Sequence, residues 1–143
     1  MPYIYKYPRP AVTVDTLVVR KTKDDLQLLL IQRDREPFQG FWAIPGGFMD
    51  MDETLEEAAV RELEEETGLQ NIALTQMKAY SAPDRDPRQR TVSVAFVGFL
   101  TDNQQIKAGD DARKAQWFSV NRLPSLAFDH AQIIADILSK IHS

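Results

Sequence analysis

Residues 47–69 read GFMDMDETLEEAAVRELEEETGL. Thr54 followed three residues later by Glu57 forms a capping box, and Gly68 stands where a helix C-cap belongs, so the spacing predicts a helix over residues 55–67. At about 100° per residue, Glu62, Glu65 and Glu66 project into one sector, which Leu55, Ala58 and Ala59 occupy one or two turns earlier. The face thus changes from apolar to acidic along its length, while Glu56, Glu57 and Glu64 point elsewhere as solvated charges. Acidic runs on helices are ordinarily solvated faces. Here carboxylates at i, i+3 and i+4 repel one another, and apolar neighbours raise that cost. A hard cation would reverse its sign, and an oxygen donor set completed by water and substrate phosphates suits Mg²⁺ or Mn²⁺.

Outward from the helix, Gly46 and Gly47 follow Pro45 and read as a turn whose backbone can approach a ligand closely. Arg61 lies eight residues from Glu53, so an ion pair between them would brace the preceding loop against the helix. Residues 50–66 hold nine acids and one arginine, a local charge of −8 within a chain of net charge −4, which leaves the remainder at +4. That mildly basic remainder suits an anionic substrate but is too weak a balance to argue for nucleic acid.

The 143 residues, 43% hydrophobic, are expected to form one domain over 1–143. With no cysteine there is neither a disulfide framework nor a thiolate metal site. The first ten residues, MPYIYKYPRP, lack the apolar core of a signal peptide, and no run approaches a membrane span, so a cytoplasmic protein with no membrane partner is expected. Apolar alternation or continuity predicts strands near residues 11–19, 26–32, 41–44, 72–80, 91–100 and 115–119, with a hairpin turn at 21–25. A last helix is expected over 130–141, with Asp129 as N-cap and a core stripe of Ile133, Ile134, Ile137, Leu138 and Ile141. Strands interspersed with two helices give an α/β or α+β layout on a mixed sheet.

Gly47, Glu53, Arg61-Glu62-Leu63, Glu65-Glu66 and Gly68-Leu69 match every specified position of the Nudix box, and the chain resembles the Nudix hydrolases. The resemblance implies an α/β/α sandwich, with Glu62, Glu65, Glu66 and the Gly47 carbonyl as metal ligands. It also implies that Arg61 is first a structural brace within a catalytic set that includes Glu62 and Glu65. No glutamate follows Glu66. Asp111, six residues before Trp117, matches the placement of a late acid in triphosphate-cleaving relatives and stands as fourth ligand or general base. Asp110 ranks next, and a surface turn after Gly109 is the other fate open to both.

The box sets the reaction class and leaves the substrate to other segments. Residues 81–90, SAPDRDPRQR, carry three arginines and two aspartates. Arginine forks match phosphate oxygens, and aspartates accept from ribose hydroxyls; Asp84, Arg85 and Arg88 are the candidates, with a solvated turn as the alternative. Pro83 through Arg88, together with Arg9-Pro10-Ala11 and Asp15, Glu36-Pro37-Phe38, and residues 126–130, resembles the ADP-ribose pyrophosphatase group. Gln89 stands where that group often has glycine. The implied activity is Mg²⁺-dependent hydrolysis of a nucleoside diphosphate derivative, ADP-ribose giving AMP and ribose 5-phosphate, by an enzyme whose relatives are often homodimers. The alternatives are a nucleoside triphosphate pyrophosphohydrolase and a low-turnover ADP-ribose sensor. Arg33 is either a phosphate contact or a solvated strand-end cation. Phe38, Phe41 and Trp42 are candidates for a base-stacking wall or for core, and His130 is read as local structure.

Overall fold

In the computed structural model, which describes residues 2–109 and 112–141, the long strand β1 (Ala11–Lys21) organises everything around it. One edge of β1 pairs in parallel with β6 (Thr91–Phe99) from Ala11 through Val19. Its other edge is shared. Thr13 to Asp15 pair with β4 (Gly46–Phe48), and Val19 to Lys21 pair with β2 (Leu26–Arg33). Between the two partners the Thr16 N–H donates to the Pro45 carbonyl at 2.7 Å. β2 in turn pairs with β3 (Trp42–Ala43) and β7 (Ala112–Ser119), and β5 (Leu74–Tyr80) closes the far edge on β6. The result among the described residues is one mixed sheet of seven strands.

The helices α1 (Leu55–Thr67) and α2 (His130–Ile141) cover opposite faces of this sheet. That is why residues 17–19 of β1 and 94–97 of β6 read as continuous apolar runs: a stretch of strand covered on both sides has no polar face. Leu17, Val19, Ala95 and Val97 pack with Ile133, Ile134 and Ile137 of α2. On the other side Val14, Val94 and Phe96 pack with Ala58 and Ala59 of α1, and Val18 and Leu29 pack with Leu63. At 12 residues α2 is too short to be stable alone; burying its three isoleucines, each worth about 1.5–3 kcal/mol, holds it in place. No helix among the described residues is long and apolar enough to cross a membrane.

The element positions follow the sequence expectation, and the exceptions have local causes. Gly46 and Gly47, expected as a turn, begin the short strand β4, because β2 pairs with β1 only through Leu28 and then leaves it for β3, which frees the edge of β1 at Thr13 to Asp15. Asp129 precedes α2 as expected, and its carboxylate is committed elsewhere. It receives both arms of the Arg85 guanidinium at 2.9 and 2.7 Å, a charge-assisted fork that outweighs a neutral capping bond. The hairpin turn at 21–25 is present, with the Thr22 N–H donating to the Asp25 carbonyl at 2.8 Å.

Candidate active site

Helix α1 begins and ends where its caps dictate. The Glu57 N–H donates to Thr54 Oγ1 at 3.1 Å and the Thr54 N–H to Glu57 Oε1 at 2.8 Å, so both halves of the capping box are made. Gly68 takes φ 79°, a conformation that favours glycine, and donates to the Glu64 carbonyl. This registration carries the acidic end of the helix to the place where β1 passes from β2 to β4.

There the Gly46 N–H donates to Glu66 Oε1 at 2.6 Å, and Glu66 is buried. A methyl group on Gly47 would fall 2.6 Å from the Glu62 carboxyl, so glycine keeps the gap between that backbone and the carboxylate open. Arg61 grips the loop from the other side. Its Nε and Nη2 donate to the two oxygens of Glu53 at 3.0 and 2.6 Å, Nη2 also reaches the Phe48 carbonyl, and Nη1 donates to Glu62 at 2.7 Å. The fork holds the Glu53 carboxyl down at about 2, and it raises Arg61 above the ordinary arginine value. The brace read from the Glu53–Arg61 spacing is thus present, with Glu62 joined to it.

Glu65 lies at the rim of the acidic sector, with a side chain 58% exposed and 3.2 Å from Arg61 Nη1. The reason is helical geometry: Glu65 is rotated about 60° from Glu62, to the edge of the buried stripe. Glu62 and Glu66 both line a cavity of about 410 Å³, and Gly47 lies beside them. Among the described residues no group of three or more His, Asp or Glu side chains is placed to hold an ion unaided. Asp110 and Asp111 lie outside the described residues. Just before them, the Gly109 N–H donates to the Glu66 carbonyl at 3.0 Å, docking that segment on the end of α1.

Arginines line the same cavity. Arg33, at the end of β2, donates from Nε to the Pro37 carbonyl at 2.7 Å and lies over the Phe128 ring at 4.9 Å. Arg88 lies over both Phe48 and Phe128, at 5.5 and 5.6 Å, and is tied to Asp86 at 2.8 Å. Burial, and next the charge of Arg88, lower the Arg33 pKa, as expected where two cations share one pocket. Arg85 is buried in its fork with Asp129, and its Nη2 lies 4.0 Å from Asp15. Asp84 is exposed. Trp42 packs edge-on against Phe118, on the α2 side of the sheet, and Phe38 contacts both Phe41 and Phe128.

Two cavity residues entered the sequence reading without a role in the site, Asp15 only within a resemblance and His130 as local structure. Asp15 projects from β1 to the cavity floor, where the buried Ser93 hydroxyl donates to it. His130 accepts the Ile44 N–H on Nδ1 at 3.0 Å and places Nε2 3.5 Å from Asp15. Accepting on Nδ1 requires the neutral ring, and burial lowers the His130 pKa accordingly. Asp15 alternates with Val14 and Thr16 in a strand otherwise read as core, so a polar residue at a core position was the available signal.

The NUDIX domain model matches residues 9–139. The chain is 46% identical over 132 residues to an ADP-ribose pyrophosphatase of Methanocaldococcus jannaschii, covering 92% of this chain and 75% of that one. It is 33% identical to an ADPR responsive transcriptional repressor NtrR of Acinetobacter baylyi, covering 96% of this chain and 56% of the repressor. Among solved structures it superposes on the NUDIX domain of Shewanella oneidensis NrtR complexed with ADP ribose with a TM-score of 0.86 at 30% identity, covering 94% of this chain and 90% of that one. A family model spanning nearly the whole chain, over a box helix braced and capped as described, shows that the chain belongs to the Nudix family and is an ADP-ribose pyrophosphatase-like Nudix hydrolase.

Proposed function

We propose that the protein hydrolyses the diphosphate of ADP-ribose, or of a closely related nucleoside diphosphate sugar, to give AMP and ribose 5-phosphate in a reaction that requires Mg²⁺ or Mn²⁺. The observation that carries this reading is the mixed lining of one cavity: Glu62 and Glu66 with Gly47, and Arg33 and Arg88, all face it. The similarity to the Methanocaldococcus pyrophosphatase supports the choice of substrate.

The residues present fit a hard divalent cation. Glu62, Glu66 and the Gly47 carbonyl offer only oxygen donors, the gap at Gly47 is one that a methyl group would fill, and a partial protein set leaves positions for water and phosphate oxygens. Glu65 joins them from the rim, and Asp111 is assigned as a further ligand or the general base. When bound, the cation neutralises phosphoryl charge and makes water a better nucleophile near neutral pH. Arg61 keeps Glu62 turned toward the cavity. Glu66 fixes the turn at Gly46. Arg33 and Arg88 take up diphosphate charge, with Asp84 at the loop surface as a contact for the sugar. Arg85, forked to Asp129, holds the substrate loop against the start of α2.

A second reading, an ADP-ribose sensor with little turnover, rests on the similarity to the NtrR repressor. A substrate panel separates these readings. With Mg²⁺ present, ADP-ribose, NADH, diadenosine polyphosphates and nucleoside triphosphates are incubated with the enzyme, and AMP and pyrophosphate are quantified. The proposal expects AMP from ADP-ribose as the dominant product. Tight ADP-ribose binding without AMP identifies a sensor, and dominant pyrophosphate release from triphosphates overturns the substrate assignment.

A further inference from the structure

Phe128 is a bulky residue at φ 52°, in the left-handed region that such side chains rarely adopt. Its neighbours hold it there. The Ala127 N–H donates to the Trp42 carbonyl at 2.8 Å, the His130 N–H donates to the Ala127 carbonyl at 3.1 Å, and Asp129 is locked by the Arg85 fork. Glycine would take this backbone conformation at no cost, so what residue 128 contributes is its ring.

That ring stands inside the cavity with a cation from each of two elements over it. Arg33 comes from β2 at 4.9 Å and Arg88 from the 81–90 loop at 5.6 Å, while the Phe38 ring supports it at 4.9 Å. Two guanidiniums sharing one pocket repel. An aromatic face attracts both, and it acts together with the Arg33 bond to the Pro37 carbonyl and the Arg88 fork onto Asp86. With both cations drawn to it, the ring is poorly placed to stack on a nucleobase.

We propose that Phe128 is a positioning residue whose ring aligns the guanidiniums of Arg33 and Arg88 into one cradle for the two phosphoryl groups of the substrate diphosphate. The cradle rests on the functional reading above only for the identity of the diphosphate. Anion capture itself can be tested without turnover.

The experiment titrates inorganic pyrophosphate calorimetrically into the wild type and into Phe128→Leu, Phe128→Gly and Phe128→Tyr variants, and in parallel measures kcat and KM for ADP-ribose with Mg²⁺. The wild type is expected to bind pyrophosphate. Leu and Gly should weaken that binding about tenfold, the scale of a desolvated cation–π contact, and Tyr should restore most of it. KM for ADP-ribose should rise in the Leu variant more than kcat falls. A double variant with Arg88→Lys should lose less than the product of the two single losses, since both remove the same contact. A merely structural Phe128 lowers Tm and leaves pyrophosphate affinity where it was, and that result overturns the proposal. So does a wild type that does not bind pyrophosphate. The Gly variant, relieved of the backbone cost, covers the case in which Leu fails to fold. Pyrophosphate captured by a wild type that leaves ADP-ribose intact supports the cradle and rejects the substrate reading. ADP-ribose turnover with an unchanged KM in the Leu and Gly variants supports the substrate reading and rejects the cradle.

Discussion

Arg61 does several jobs with one guanidinium: it forks onto Glu53, reaches the Phe48 carbonyl and holds Glu62. Lysine keeps the charge but cannot make a planar fork, so Arg61→Lys is expected to lower kcat at least tenfold with the helix retained by circular dichroism. The fork also sets an acid limit. Glu53 is held at about 2 in the folded chain, against about 4.3 when unfolded; its contribution is full above the higher value and is lost as pH falls through the lower. Glu53→Gln should therefore flatten the fall in Tm between about pH 4.5 and 2. His130 works in a milder range. Burial lowers its pKa from the unfolded value near 6.5, so the stability it supports is present above that value and declines as pH drops below it. His130→Asn, whose amide oxygen can still accept from Ile44, should reduce the Tm loss below about pH 6.5 relative to the wild type. At this scale the charge pairs within the box were legible because i, i+4 and loop-to-helix spacings are local. Asp15 and His130 meet across 115 positions of chain, and no local period could have joined them.

Helix α1 is the element most fully written in the sequence, since its caps, apolar face and acidic end all follow from short-range rules. β4 is the least. Two glycines ahead of a phenylalanine carry no strand signal, and the segment extends only because β1 offers an unpaired edge. The two glycines predict opposite outcomes when replaced. A methyl on Gly46 meets the Val14 backbone carbonyl, which cannot move aside, so Gly46→Ala should cost about 1–3 kcal/mol of stability in denaturant unfolding. On Gly47 the same methyl meets the end of the Glu62 side chain. That group can swing away, so Gly47→Ala should leave Tm nearly unchanged and lower kcat. A thermal scan beside a rate measurement distinguishes the two, and equal destabilisation of both variants would argue against the placement of Glu62 under Gly47.

The molecule as a whole makes its cavity from segments that are distant in sequence: the split of β1, the end of β2, the acidic end of α1, the 81–90 loop and the start of α2. The sandwich was legible because two amphipathic helices and several apolar strands admit few arrangements. The site was legible in the carboxylates of α1, where the residues are local, and less so in its arginines. Arg85 and Arg88 look alike in sequence, yet one is buried on Asp129 and the other faces the cavity rings. The central claim joins these carboxylates and arginines into one catalytic centre, and Glu66→Gln probes it. Glutamine can still accept the Gly46 N–H, so the fold should persist with Tm within a few degrees, but the charge that would hold a cation is gone. The decisive measurement is AMP released from ADP-ribose at saturating Mg²⁺ by the wild type and by this variant. The expected result is equimolar AMP and ribose 5-phosphate from the wild type and a rate more than about 100-fold lower from the variant. An ADP-ribose pool left intact by the wild type, or an equal rate from Glu66→Gln, would contradict it.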